Sequence, residues 1–171
     1  MADAGDTVAK RIVDVAADCG ISLVATLPDG WITKLISCFA GDARFRHVSV
    51  NREESAIGLC SGAYLSGTGA FALMGASGFL TCIYAITKIN YTYQIPLLIG
   101  ITLRGRPGDN AKFHQSNGLY LEPVIAAIDM PFIPIERSAD IGKLATGYRH
   151  SRVMSRPVVV GFTRAVLRGD A

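Results

Sequence analysis

Short runs of β-branched and apolar residues alternate along this chain with segments of helical length. The strand-like runs fall at 22–27, 45–50, 71–76, 96–102, 132–136 and 157–162. Between them lie amphipathic or wholly apolar segments at 6–19, 31–40, 53–65, 78–91, 119–128 and 140–154, each long enough for a helix. Strands that are apolar almost throughout, alternating with helices, predict a parallel sheet covered on both faces. The expected fold is a doubly wound, mostly parallel six-stranded α/β sheet, with residues 1–171 as a single domain. No linker, low-complexity tract or internal repeat interrupts the pattern. The longest connection, 104–117, has the length at which loops are often functional.

One stretch departs from an ordinary surface. From Ser55 to Thr87 no residue is charged, and Lys88 is the only charge between Glu54 and Arg104. A membrane span needs about 18–20 unbroken apolar residues, and Gly67-Thr68-Gly69 and Gly75, Ser77 and Gly78 break this run into pieces of globular length. The pattern predicts a strand and two helices buried on nearly all sides, with a large contact onto another subunit and no membrane crossing.

Composition narrows the classes. Half the residues are hydrophobic and 18% are charged, which excludes disorder. A net charge of +3, scattered and without a basic–aromatic stripe, gives no support for nucleic acid. The cysteines at 19, 38, 60 and 82 lack metal-ligand spacing and are expected to be reduced, buried thiols of a cytoplasmic protein. The opening MADAGDTVAKR carries acids and no apolar core, so it is not expected to be a signal peptide.

In a doubly wound sheet, ligands sit at the carboxyl ends of the strands. The unusual residues gather there: Pro28-Asp29-Gly30, Asn51-Arg52-Glu53-Glu54, Gly75-Ala76-Ser77-Gly78, and Arg104 through Asp109 followed by Lys112, Phe113, His114 and Gln115. Competing motifs fail on context. Gly67-x-Gly69-x-x-Ala72 precedes a strand instead of opening a helix, no phosphate-binding GxxxxGK[ST] occurs, and Gly75-Ala76-Ser77-Gly78 does not complete a nucleophile elbow. Glu53 has an ordinary explanation: Asn51 and Glu54 form a capping box, and Glu53 opposes the helix dipole. It also has a functional one, since the helix it opens carries Gly58, Gly62 and no further charge beyond Glu54. A carboxylate beside an apolar subunit contact lies in a partly desolvated crevice.

The segment from Glu53 to Tyr64 resembles the helix that opens with the essential glutamate of thiamine-diphosphate-dependent decarboxylases. Glycines follow that glutamate at five and nine positions, and counting from Glu53 reaches Gly58 and Gly62. Leu27-Pro28-Asp29-Gly30-Trp31 is similar to the Pro-Asp motif of phosphonopyruvate and sulfopyruvate decarboxylases. Ile95 to Leu98, continuing to Arg104-Gly105-x-Pro107-Gly108, is similar to their fourth-strand segment. The resemblance covers nearly the whole chain and implies the pyrimidine-binding domain of the thiamine-diphosphate fold.

Several roles follow from the resemblance alone. Glu53 hydrogen-bonds the cofactor pyrimidine and is catalytic, with Pro28, Ser77 and Gly78 also at the cofactor. His114, with Gln115 near the position of a catalytic His pair, relays protons, and Asp29 is the other catalytic candidate. Arg104, Arg106, Lys112 and Gln115 face an anionic 2-oxoacid such as sulfopyruvate or phosphonopyruvate. The family's diphosphate half carries a GDG motif and a later Asn pair. Here Gly-Asp at 5–6, 41–42, 108–109 and 169–170 is never followed by Gly, and no Asn-Asn occurs. The resemblance thus implies a separate beta subunit that holds the diphosphate and Mg²⁺, and a hetero-oligomeric decarboxylase. Relatives of this type tend to carry Gln-Asn before the Ser-Gly; Gly75-Ala76 stands there, leaving a roomier, less polar pocket. A less charged 2-oxoacid, carboligation, or a non-catalytic regulatory subunit are the alternatives.

Overall fold

The strands β1 (Ile21–Thr26), β2 (Arg46–Ser49), β3 (Gly69–Met74), β4 (Leu97–Thr102), β5 (Phe132–Ile135) and β6 (Pro157–Phe162) form one sheet in the order β2-β1-β3-β4-β6-β5. Every neighbouring pair is parallel. The computed structural model describes residues 4–171, so the first three residues of the segment expected not to be a signal peptide lie outside the described residues. Parallel neighbours need crossover connections. These are supplied by α2 (Thr33–Gly41), α3 (Glu53–Leu65), the paired short helices α4 (Ala76–Thr81) and α5 (Ile83–Ile86), α6 (Gln115–Ala127) and α7 (Lys143–Met154). Helix α1 (Ala4–Asp18) precedes the sheet and α8 (Arg164–Arg168) follows it.

The chain steps from β1 to one side, then returns through α3 to place β3 on the other. That reversal opens a crevice above the carboxyl ends of β1 and β3. It also divides the helices into two layers. On one face Ile12, Phe39, Leu144 and Val166 from α1, α2, α7 and α8 pack with Phe71 and Val160. On the other, Ile57, Phe79, Ile86 and Ile125 from α3, α4, α5 and α6 pack with Met74 and Ile99. Strands β4 and β6 are buried at every position, so their unbroken apolar runs are explained. Each such Val, Ile or Leu contributes about 1.5–3 kcal/mol by leaving water.

The six strands and the doubly covered sheet are as the periodicity predicts. Three local expectations are corrected. The helix expected over 78–91 is broken into α4, α5 and a π-helical turn (Thr87–Tyr91). Hydroxyl and thiol side chains compete for its backbone carbonyls, Thr81 and Cys82 both reaching Gly78 and Thr87 reaching Tyr84. The expected long loop is shortened, because a 3₁₀ turn (Lys112–His114) leads directly into α6 at Gln115. The capping box does not form: Arg52 stands at the N-cap without a side-chain bond, and Glu54 pairs with the Arg52 guanidinium at 3.2 Å.

Helix α3 is buried along Ala56, Ile57 and Cys60, while Gly58, Leu59 and Gly62 face outward, so the charge-free segment is not covered on every side in this chain. The four cysteines are free thiols, and burial pushes Cys60 and Cys82 up to about 12, which removes thiolate reactivity at neutral pH. Among the described residues no helix is long and apolar enough to cross a membrane, and no His, Cys, Asp and Glu cluster is arranged to hold a metal.

Candidate active site

The site begins where β1 ends. Pro28 is exposed as the chain leaves the sheet, and the Asp29 side chain folds back to accept the Trp31 N–H at 2.8 Å. This places the carboxylate against the Arg104 fork, which arrives from the end of β4. Arg104 Nε donates to Oδ2 at 3.0 Å and NH2 donates to Oδ1 at 2.6 Å, with side chains only 11% and 12% exposed. The turn after β3 presses on the same carboxylate: a Cβ at Gly75 would stand 2.5 Å from Asp29 Oδ2. Only glycine admits this approach. The Ala76 N–H meanwhile donates to Thr102 Oγ1, tying the β3 exit to the end of β4.

Arg104 carries the network further. Its NH1 donates to His114 Nε2 at 2.6 Å, and His114 Nδ1 meets Asp109 at 2.8 Å. A guanidinium offers only donors, so in this contact Nε2 is the accepting nitrogen and Nδ1 faces the Asp109 carboxylate. His114 therefore accepts a proton at Nε2 only when Arg104 moves off it. Trp31 lies edge-on to His114, and Arg104 sits over the Trp31 ring at 4.5 Å. Gly105 turns the chain with φ 77, and a Cβ there would overlap the His114 carbonyl, so the loop closes tightly under the histidine.

Burial pulls the Asp109 carboxyl upward, but hydrogen bonds from the Gly105 N–H, His114 and the Ala111 N–H outweigh it and hold the group at about 2. Its folded value lies below that of the unfolded chain, so the stability it contributes is present above about pH 4 and is lost as the pH falls towards 2. The stability gap between the wild type and Asp109→Asn, measured by urea unfolding, should shrink between pH 5 and pH 2.5. A gap that stays constant contradicts the assignment.

Across the crevice, Glu53 is the first residue of α3 and half-buried. Its carboxylate rests on Gly78 so closely that any Cβ there would overlap Oε1. It makes no hydrogen bond or ion pair among the described residues, in contrast to Glu54 beside it. Ser77, one residue before Gly78, exchanges hydrogen bonds with the buried Asn117 at 3.0 and 3.1 Å, which anchors α4 to α6.

The fold thus brings Asp29, Arg104 and His114 into one buried network, with Ser77, Gly78 and Glu53 across the same crevice. The remaining candidates lie apart from it. Arg106 is engaged by Glu122 and Glu136, each at 2.6 Å, and Lys112 and Gln115 are exposed. Asn117 is not picked out by the sequence pattern, and Asp109 enters only as part of the loop after β4 without a role, because each is defined by a partner that only the fold brings near. Trp31 entered only as part of a motif, although it covers the network.

No family model matches this chain. Among curated proteins it is 30% identical over 130 residues to the sulfopyruvate decarboxylase subunit alpha of Methanococcus maripaludis, covering 76% of this chain and 75% of the relative. It is 28% identical over 154 residues to the subunit of the same name from Methanocaldococcus jannaschii, covering 88% and 90%. A phosphonopyruvate decarboxylase of Streptomyces viridochromogenes matches 84% of this chain at 26% identity, over 36% of its own length. A solved 2-oxoglutarate:ferredoxin oxidoreductase from Magnetococcus marinus shares the fold, with a TM-score of 0.72 at 13% identity, covering 97% of this chain and 29% of that one.

The all-parallel sheet, with the buried Asp29–Arg104–His114 network at its switch point, defines the class: a doubly wound α/β domain, a fold that places ligands above the carboxyl edge of its strands. Within that class, the chain belongs to the sulfopyruvate decarboxylase alpha-subunit family.

Proposed function

We propose that this chain is the alpha subunit of a heteromeric thiamine-diphosphate-dependent 2-oxoacid decarboxylase, a carbon–carbon lyase. A separate beta subunit would supply the diphosphate and Mg²⁺ site. The observation that supports this most is the Glu53 carboxylate, which lies at the start of α3 beside the β3 exit without a partner among the described residues. Such a group suits a protonated ring nitrogen of an aminopyrimidine, and the close seat of Glu53 on Gly78 fixes where it stands beside the β3 exit. The outward strip of Gly58, Leu59 and Gly62 on α3 begins one turn from Glu53 and suits a partner subunit packed beside it. The four free thiols support a cytoplasmic setting.

When bound, thiamine diphosphate supplies the carbanion and the electron sink for loss of CO₂. Glu53 would hold a proton between its carboxylate and the pyrimidine ring nitrogen, and Ser77 and Gly78 would form the wall behind the ring. His114, held by Asp109, would exchange a proton at Nε2 once Arg104 releases it. A Cβ at position 78 forces the whole Glu53 side chain to swing aside. Gly78→Ala should therefore fold with little loss of stability, since a flexible side chain gives way, but lose about a hundredfold in turnover from misplacement of the carboxylate. Unchanged turnover in the assembled enzyme contradicts this.

The substrate we propose is an anionic 3-substituted pyruvate, sulfopyruvate or phosphonopyruvate, the compounds in the names of the relatives. A second substrate reading has a specific observation in its favour. Arg104 is already engaged by Asp29 and His114, and Arg106 by Glu122 and Glu136, so neither offers a free fork to a sulfonate. A less charged 2-oxoacid fits that crevice. Assay of CO₂ release from sulfopyruvate, phosphonopyruvate and pyruvate, by this chain co-expressed with a beta subunit and supplied with thiamine diphosphate and Mg²⁺, decides between them. Release from none of the three overturns the decarboxylase proposal.

A further inference from the structure

A groove of about 480 Å³ lies between the turn after β1, the start of α2 and the terminal helix α8. Its walls carry Trp31, Lys34, Arg164 and Arg168, with Asp170 the one carboxylate among the described lining residues. Arg164 and Arg168 are four residues apart on α8, so both guanidinium groups rise from one face. Like charges at that spacing oppose helix formation unless something offsets them. Neither makes a hydrogen bond or ion pair among the described residues; Arg164 instead lies over the Trp31 ring at 5.4 Å. Elsewhere Arg44, Arg52, Arg104, Arg106 and Arg137 each meet a carboxylate, while Arg152 and Arg156 lie over tyrosine rings instead. Lys34 stands at the same wall, its charge offset by Asp6 at 3.5 Å. The groove is thus a concave surface where two unneutralised guanidinium forks converge beside an ammonium and an indole.

We propose that this groove binds a tetrahedral oxyanion group, a phosphate monoester or a sulfonate, gripped by Arg164 and Arg168 with Lys34 behind them. Guanidinium forks match such oxygens two at a time, and the volume lies within the usual range for small-molecule sites. The site shares Trp31 with the Arg104 network, since Arg104 and Arg164 both lie over that ring. An anion that draws Arg164 off the indole changes the surroundings of Trp31 and the packing that holds Arg104.

Trp31 is the only tryptophan in the chain, so its fluorescence reports on this groove directly. The full chain is titrated with inorganic phosphate and, separately, with methanesulfonate, at constant ionic strength set by potassium chloride and with calorimetry in parallel. The proposal expects a saturable signal with at least one anion, the tighter one identifying the source as phosphate or sulfonate. It also expects affinity weakened about tenfold or more in the R164Q/R168Q double variant. Absence of saturation and of heat with both anions overturns it. So does equal binding by the double variant, or an equal response to chloride alone.

Discussion

Glu53→Gln is expected to lower turnover of the assembled enzyme by about 10²- to 10⁴-fold, with unfolding stability changed by no more than about 0.5 kcal/mol. The two halves of that expectation have different origins. Glu53 makes no hydrogen bond or ion pair among the described residues, so an isosteric amide removes none of the contacts seen there. The amide cannot hold a negative charge against a ring nitrogen, so any role in proton placement is lost. Activity assays with the beta subunit present, alongside urea unfolding of the chain, check both parts. Normal turnover would remove Glu53 from the mechanism, and gross unfolding would make it a structural cap instead.

Arg104→Ala is expected to cost about 3 kcal/mol of stability. The Asp29 carboxylate, 12% exposed and pinned by the Trp31 N–H and by Gly75, would be left without its cation. His114 would lose the donor on Nε2, and Trp31 the guanidinium over its ring. Most of the cost is the stranded charge and not the attraction itself, because desolvating both partners offsets much of what their pairing returns. The double variant Asp29→Leu with Arg104→Met should accordingly recover most of the loss, as read from urea unfolding midpoints. A double variant as unstable as Arg104→Ala alone would show that the pair itself supplies the stability.

How much of this was legible in the sequence depends on the distance over which each feature is determined. Unbroken apolar runs such as Val158-Val159-Val160 announce interior parallel strands, and the helix from Glu53 to Leu65 was placed to the residue. Asp29, Arg104 and His114 were named from motifs at strand ends, and the fold joins them. Their mutual engagement was not legible, because Asp29 and Arg104 are 75 positions apart and nothing local marks them as partners. The pairing of Asp109 with His114, and Asn117 altogether, escaped for the same reason, since their partners are set by the fold. The break after Thr81 escaped because hydroxyl and thiol bonds to Gly78 depend on rotamers, which periodicity does not carry. The early start of α6 was hidden by Ser116-Asn117-Gly118, residues whose propensities are weak for a helix.

The central claim is that the Glu53 carboxylate meets the cofactor's aminopyrimidine where two subunits join. A structure of this chain assembled with its beta subunit and thiamine diphosphate tests it most directly. The account predicts a carboxylate oxygen about 2.7–2.9 Å from the pyrimidine ring nitrogen, with α3 covered by the neighbouring subunit. A Glu53 side chain left in open solvent, remote from cofactor and neighbour alike, would contradict it.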